Sequence, residues 1–204
     1  MESQSRFFKD GVLTDKDAYE ILSPHFQDII RCIQTALGAA ERLRQHEPDC
    51  CQPLTSRSWA NIVHDHMEYE AKKVFGSTQP GIAIYTEKGF LIVDFYERIF
   101  LRLKKLQNNL KPCNVETAQQ RAFDCQALFR GPVTLVTAGY CLNDLGMHKN
   151  SHIVCWSGDE LLWALRLPDI TTQEEYSEIA VPPVPVEPIV VVRKDAVPKI
   201  GNAS

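Results

Sequence analysis

The tripeptide His64-Asp65-His66 carries side chains that can hold a divalent metal or exchange a proton near neutrality. On a helix, His64 would meet Glu68 one turn on, and His66 would meet Glu70. Histidines two apart point to different sides of that helix, so a shared site needs ligands from elsewhere. With Asp94 as the further acid, the candidate set is His64, Asp65, Glu68 and Asp94. The plainer reading is charge on a helix surface with His66 partly buried.

Adjacent His and Asp also occur in metal-dependent phosphohydrolases, which add further His and Asp ligands from other helices. This chain offers no such complete set. Nucleases of the PD-(D/E)xK type place acids on a helix and a hairpin beside a lysine. Glu68 or Glu70, then Asp94, Glu97 and Lys104, follow that order. Paired carboxylates are what hold Mg²⁺ and activate water. The E-x-K tripeptide is missing, because Glu97 is followed by Arg98 and Ile99.

Cys141, His148, His152 and Cys155 have types that suit zinc, and His148 and His152 have a known ligand spacing. On a strand, however, His152 and Cys155 fall on opposite faces. Nucleophilic catalysis has less support. There is no G-x-S-x-G, phosphate-binding loop or dinucleotide fingerprint, and Cys50-Cys51 reads as a pair of loop thiols.

The last constellation is basic. Arg98, Arg102, Lys104, Lys105 and Lys111 occupy a stretch free of acids. Alternation sends Ile99, Leu101 and Leu103 to one face and Phe100, Arg102 and Lys104 to the other. Such a ribbon can meet phosphates or an acidic protein surface. The competing reading is a solvated sheet face, or an edge strand guarded by lysines. If the ribbon is a surface, charge reversal at Arg102 and Lys104 weakens binding and leaves folding intact.

The whole chain frames these candidates. Hydrophobic residues make up 44% and charged residues 24%, enough apolar matter for a core. The net charge of −4 argues against a whole-surface nucleic-acid binder and leaves room for a local patch. Seven cysteines, an odd number without a C-x-x-C pair, read as reduced thiols of a cytoplasm. The N-terminus lacks the apolar core of a signal peptide, and no apolar run is long enough to span a bilayer.

The elements that must position these residues follow from periodicity. Thr14, with Asp17 three residues on, starts a short helix that ends at Ser23-Pro24. Phe26, Ile29, Ile30, Ile33, Leu37, Ala40 and Leu43 recur at helical spacing. A loop over 46–56 precedes a helix over 57–75. After Gly76 the period changes to two, predicting strands at 82–87, 90–95 and 99–105, with Lys88-Gly89 and Tyr96-Glu97 as hairpin turns. A helix over 117–129 has Thr117 and Gln120 at capping-box spacing. Strands at 133–142, 152–156 and 161–167 complete the pattern. The expectation is an α+β domain over 1–168. Its antiparallel sheet, or sheets, of about six strands is covered by N-terminal helices and one central helix. Residues 169–204 form an acidic, Pro-rich tail, extended or partly disordered, with a β-branched run at 189–192 able to pair as a strand.

Three stretches, 57–67, 97–106 and Thr117-Ala-Gln-Gln120, resemble a group of uncharacterised bacterial proteins over about residues 20–167. Those proteins belong to mobile, toxin–antitoxin-like or phage-defence-like loci beside helix-turn-helix regulators. The resemblance implies a bacterial cytoplasm and a protein or DNA partner, and it supplies no catalytic residues. The leading expectation is therefore a non-enzymatic binding or regulatory protein without cofactor or metal. It would engage a protein, or a nucleic acid, through Arg98, Phe100, Arg102, Lys104 and Lys105. No membrane association is expected, and a homo-oligomer paired through the tail is a third expectation. The alternative is a metal-dependent nuclease or phosphohydrolase using His64, Asp65, Glu68 and Asp94.

Overall fold

A computed structural model describes residues 11–77, 79–129 and 131–168. The expected tail, with its β-branched run, lies outside the described residues. The first helix, α1 (Asp15–Leu22), starts where Thr14 Oγ1 accepts a hydrogen bond from the Asp17 amide at 3.2 Å. Asp17 Oδ2 in turn accepts from the Thr14 hydroxyl at 2.8 Å. A 3₁₀ turn (Ser23–His25) with Pro24 in its first turn leads into α2 (Phe26–His46). Phe26, Ile29, Ile30, Ile33, Ala36 and Ala40 form the buried stripe of α2.

The expected loop over 46–56 contains one helical turn, α3 (Pro48–Cys51). Thr55 then caps α4 (Ser56–Phe75) by accepting from the Ser58 amide. Helix α4 packs on α2 and buries Val63, Met67, Ala71 and Phe75.

Six strands follow: β1 (Ile82–Glu87), β2 (Phe90–Phe95), β3 (Ile99–Lys105), β4 (Thr134–Leu142), β5 (His148–Ser157) and β6 (Glu160–Arg166). They form one sheet in chain order. All neighbours are antiparallel except β3 and β4, which are parallel. A parallel pair cannot be joined by a hairpin, so the chain must cross over. It does so through α5 (Ala118–Asp124). The sheet is thus two meanders joined at a parallel seam, in place of the wholly antiparallel sheet expected from its short turns.

Both faces of the sheet are covered. On one, α1, α2 and α4 bury Val93, Phe95, Leu101, Leu103, Val136 and Tyr140. On the other, Phe123 and Leu128 of the crossover pack on Ile92 and Leu135, with Phe100 and Phe90 beside them. Helix α5 stops at Asp124, short of the expected 129, because Gln126 adopts φ 57 and turns the chain. The Gln126 amide then bonds the backbone of Leu135 in both directions, at 2.6 and 2.7 Å. Strand β5 begins at His148, four residues before the expected start. His148 and Lys149 are exposed and show no apolar alternation, yet His148 still pairs with Leu142.

Gly139 of β4 lies at the parallel seam. A Cβ there would stand 1.8 Å from the Lys104 carbonyl oxygen. Replacing it by alanine must push β4 away from β3. Gly139→Ala is expected to cost about 1–3 kcal/mol, read from the midpoint of denaturant unfolding. An unchanged midpoint would contradict the close approach of the two strands.

Candidate functional site

Strand β3 occupies the middle of the sheet, not an edge or a solvated ribbon. Its alternation is the expected one, but the face that carries Arg102 is covered. Arg102 is 2% exposed. Its guanidinium donates to Gln120 Oε1 at 2.7 Å and to Asn114 Oδ1 at 2.8 Å. It also stacks 4.4 Å from the ring centre of Phe123 and 5.0 Å from that of Phe90. Both hydrogen-bond partners are neutral amides, and no carboxylate among the described residues forms an ion pair with it. Burial lowers its pKa to about 10, so it remains charged at neutral pH. Its Nε is buried without a hydrogen-bond partner.

This geometry corrects the expectation that Arg102 is a surface contact whose charge can be reversed without harm. Of the other members of that set, Phe100 packs edge-on against Phe129 at 5.1 Å, and Arg98 is exposed at the start of the strand. Lys104 and Lys105 are half-buried and line two different recesses.

The first recess opens because β2 and β3 separate. Their pairing ends at Val93↔Leu101, while β2 continues along β1 and β3 continues along β4. The wedge between them holds a cavity of about 100 Å³. Phe90, Leu91, Arg102 and Lys104 line it from the strands, and His64 and Glu68 line it from α4. Through this gap Lys104 reaches α4. Its ammonium donates to His64 Nε2 at 3.0 Å.

An ammonium has no lone pair, so Nε2 is the acceptor and the imidazole proton resides on Nδ1. That Nδ1 is buried and has no hydrogen-bond partner. Glu68 Oε1 lies 3.3 Å from the same Nε2. Burial, and then the Lys104 charge, pull the His64 pKa down to about 4. Burial raises that of Glu68. Lys104 is lowered by burial first and by Arg102 next.

The second recess is larger, about 910 Å³, between the Trp59 end of the helices and the β4–β5 loop. Arg44 stacks 4.6 Å from the Trp59 ring centre there, and Leu145 and Met147 stand exposed at its rim.

The structure therefore brings His64, Glu68 and Lys104 together, and it places Asp94 elsewhere. Asp94 pairs with Phe100, four residues from Lys104 along β3, or about 13 Å at the rise of a strand. Its Oδ1 accepts from the Glu97 amide at 2.8 Å and closes the β2–β3 turn, where Tyr96 and Glu97 both have positive φ. Asp65 is exposed on α4, and Glu70 pairs with Lys73 at 3.0 Å. The cysteine–histidine set is divided as its strand positions imply. Cys141 packs with Val154 on the crossover side, whereas Cys155 belongs to the helix-side core. Among the described residues, no three of His, Cys, Asp or Glu are placed to hold a metal ion.

Sequence reading missed Gln120, Asn114, Phe90 and Phe123 as the setting of Arg102. One signal was present: Thr117 and Gln120 stand at capping-box spacing. Thr117 does accept from the Gln120 amide at 3.1 Å. The Gln120 side chain is instead spent on Arg102 and on Asp124, to which it donates at 2.8 Å.

No family model, curated protein or solved structure matches the chain. Among the described residues, no helix is long and apolar enough to cross a membrane.

Two outcomes follow from this geometry. Arg102→Ala leaves the buried Gln120 oxygen and the half-buried Asn114 oxygen without their donor, and opens a void beside the Phe90 and Phe123 rings. It should cost about 3 kcal/mol or more in denaturant unfolding, and a loss under about 1 kcal/mol would rule out the buried network. His64 should titrate by NMR near pH 4, and Lys104→Met should move that midpoint upward. Because the folded protein resists protonating His64, its contribution is complete above the unfolded value of 6.5. It is lost as the pH falls from there toward 4. The raised Glu68 pKa acts in the opposite sense. A His64 midpoint at 6.5 in the native protein would contradict the contact with Lys104.

Proposed function

We propose that this chain is a non-enzymatic binding or regulatory protein of the bacterial cytoplasm, serving a toxin–antitoxin-like or phage-defence-like locus. Its partner is a protein or a nucleic acid, met through the C-terminal end of β3. The observation that supports this reading is the divergence of two neighbouring cations: Lys104 lines the β2–β3 cleft, and Lys105 lines the large groove. Arg98 adds an exposed charge at the other end of the strand. Arg102 takes a different part from the one its charge suggests. Its side chain is buried against Gln120, Asn114, Phe90 and Phe123.

The alternative, a metal-dependent nuclease or phosphohydrolase, keeps one supporting feature, the meeting of Glu68 with Lys104 and His64 in one recess. Asp94 and Asp65 lie outside that recess, and a hydrolytic metal needs direct bonds to its acids of roughly 2–2.6 Å.

The test is capture of partners by the tagged full-length chain, with and without nuclease treatment, beside a Lys104→Glu/Lys105→Glu variant. A stoichiometric partner retained by the native chain and lost by the variant is expected, at an unchanged unfolding midpoint. Equal capture by the two proteins would remove β3 as the contact. Mg²⁺-dependent cleavage of DNA or RNA, abolished in Glu68→Ala, would replace the binding reading with the enzymatic one.

A further inference from the structure

We propose that the large groove at the carboxyl ends of β3 and β4 binds a small amphipathic carboxylic acid, with Lys105 and Tyr140 holding the carboxylate and Trp59 and Leu145 flanking the apolar body. This goes beyond the binding reading above, because the ligand is a small molecule and the groove alone holds it.

The first argument is placement. Strands β3 and β4 are parallel, so their carboxyl ends lie at the same end of the sheet. Lys105 stands opposite Tyr140 in their register. Opposed residues of neighbouring strands share a face and lie roughly 4.8 Å apart along the ladder. Tyr140 belongs to the helix-side core, so Lys105 also faces the helices. Leu37 of α2 and Trp59 and Val63 of α4 line the groove across from them.

The second argument is a pair of donors without acceptors. Tyr140 is 2% exposed, and its hydroxyl has no hydrogen-bond partner among the described residues. Unlike His64 Nδ1 and Arg102 Nε, that hydroxyl is not sealed from water, and the residue lines the groove. Burial raises its pKa, so it keeps its proton at neutral pH and can donate. The half-buried Lys105 forms no ion pair among the described residues. Two acids also line the groove. Glu41 already accepts from Arg44 at 3.4 Å and from Gln45 at 3.2 Å. Asp144 is exposed in the loop beyond the end of β4 and is not paired with Lys105.

The third argument is size and polarity. A volume of about 910 Å³ lies within the span of small-molecule sites, roughly 300–1,000 Å³. Leu37, Val63 and Leu142 give it an apolar lining, and Leu145 stands 81% exposed at its rim. An apolar body lying along these side chains removes their surface, and its own, from water. A carboxylate brings one charge and two oxygens, which match one ammonium and one hydroxyl. A phosphate monoester carries roughly −1.5 to −2 at neutral pH and more acceptors than these two donors satisfy.

The experiment is a titration of the purified full-length chain with decanoate, followed by calorimetry and by the Trp59 indole signal in NMR. Decanol supplies the body without the carboxylate, butyrate the carboxylate without the long body, and decyl phosphate the other head group. Decanoate should bind at a stoichiometry of one, about tenfold or more tighter than each control. Lys105→Met should weaken decanoate about tenfold or more and leave decanol unchanged, the loss of one charge-assisted hydrogen bond. Tyr140→Phe should weaken it about threefold to tenfold at an unchanged unfolding midpoint. Decanol binding as tightly as decanoate, or decanoate binding equally to the native chain and both variants, would overturn the proposal. Tighter binding of decyl phosphate would overturn the choice of acid, and shifts spread over the whole chain would reduce the binding to detergent-like adsorption. The titration contains no partner, so its failure leaves the capture experiment standing, and failed capture leaves the groove site standing.

Discussion

The Arg102 guanidinium joins the central strand to β2, to α5 and to the crossover segment before α5. It rises from the central strand and is bonded to Asn114 in the crossover and to Gln120 on α5. It lies against the rings of Phe90 on β2 and Phe123 on α5, which also touch each other at 5.8 Å. Buried charge is costly, and the cost falls when all surrounding groups are held in place. Gln120 is itself anchored to Asp124, and Gln126 fastens the end of the crossover to β4. The crossover is thereby bound to the sheet by polar contacts as well as by packing.

A parallel seam in an otherwise antiparallel sheet imposes the rest. Joining β3 to β4 in parallel obliges the chain to return across the sheet, and α5 is the return path. That path covers the face which the N-terminal helices leave open, so β3 becomes buried on both sides. At the same seam Gly139 lets β4 approach the Lys104 carbonyl. With β3 held to β4, β2 continues along β1 and parts from it, and the cleft is the result. His64 and Glu68, one turn apart on α4, line its helix side. The site is thus a consequence of strand divergence, with its cations supplied by β3 and its titratable pair by α4.

The elements were legible along the chain because each rests on local physics. Thr14 and Thr55 cap helices through their own hydroxyls. Lys88-Gly89 turns with two positive φ values, as a two-residue hairpin requires. Where local signals are silent, the boundaries moved. The polar start of β5 pairs beyond the core and so carries no apolar period. Helix α5 stops early because the Gln126 side chain finds better partners on the sheet than in a continued helix.

The sequence by itself determined the α+β class, the six strands, and the alternation that puts Arg102 and Lys104 on one side of β3 and Leu101 and Leu103 on the other. It also placed His64 and Glu68 within reach of one another, since helix geometry alone sets that distance. Only the tertiary structure decided which face of β3 meets water. Alternation separates two faces but does not say what covers either. The cover comes from a crossover whose pairing spans the long interval between β3 and β4. The same holds for the meeting of Lys104 with His64, and for the exclusion of Asp94 from their cleft. Both depend on where β2 leaves β3, and that is set by the strands on either side of them.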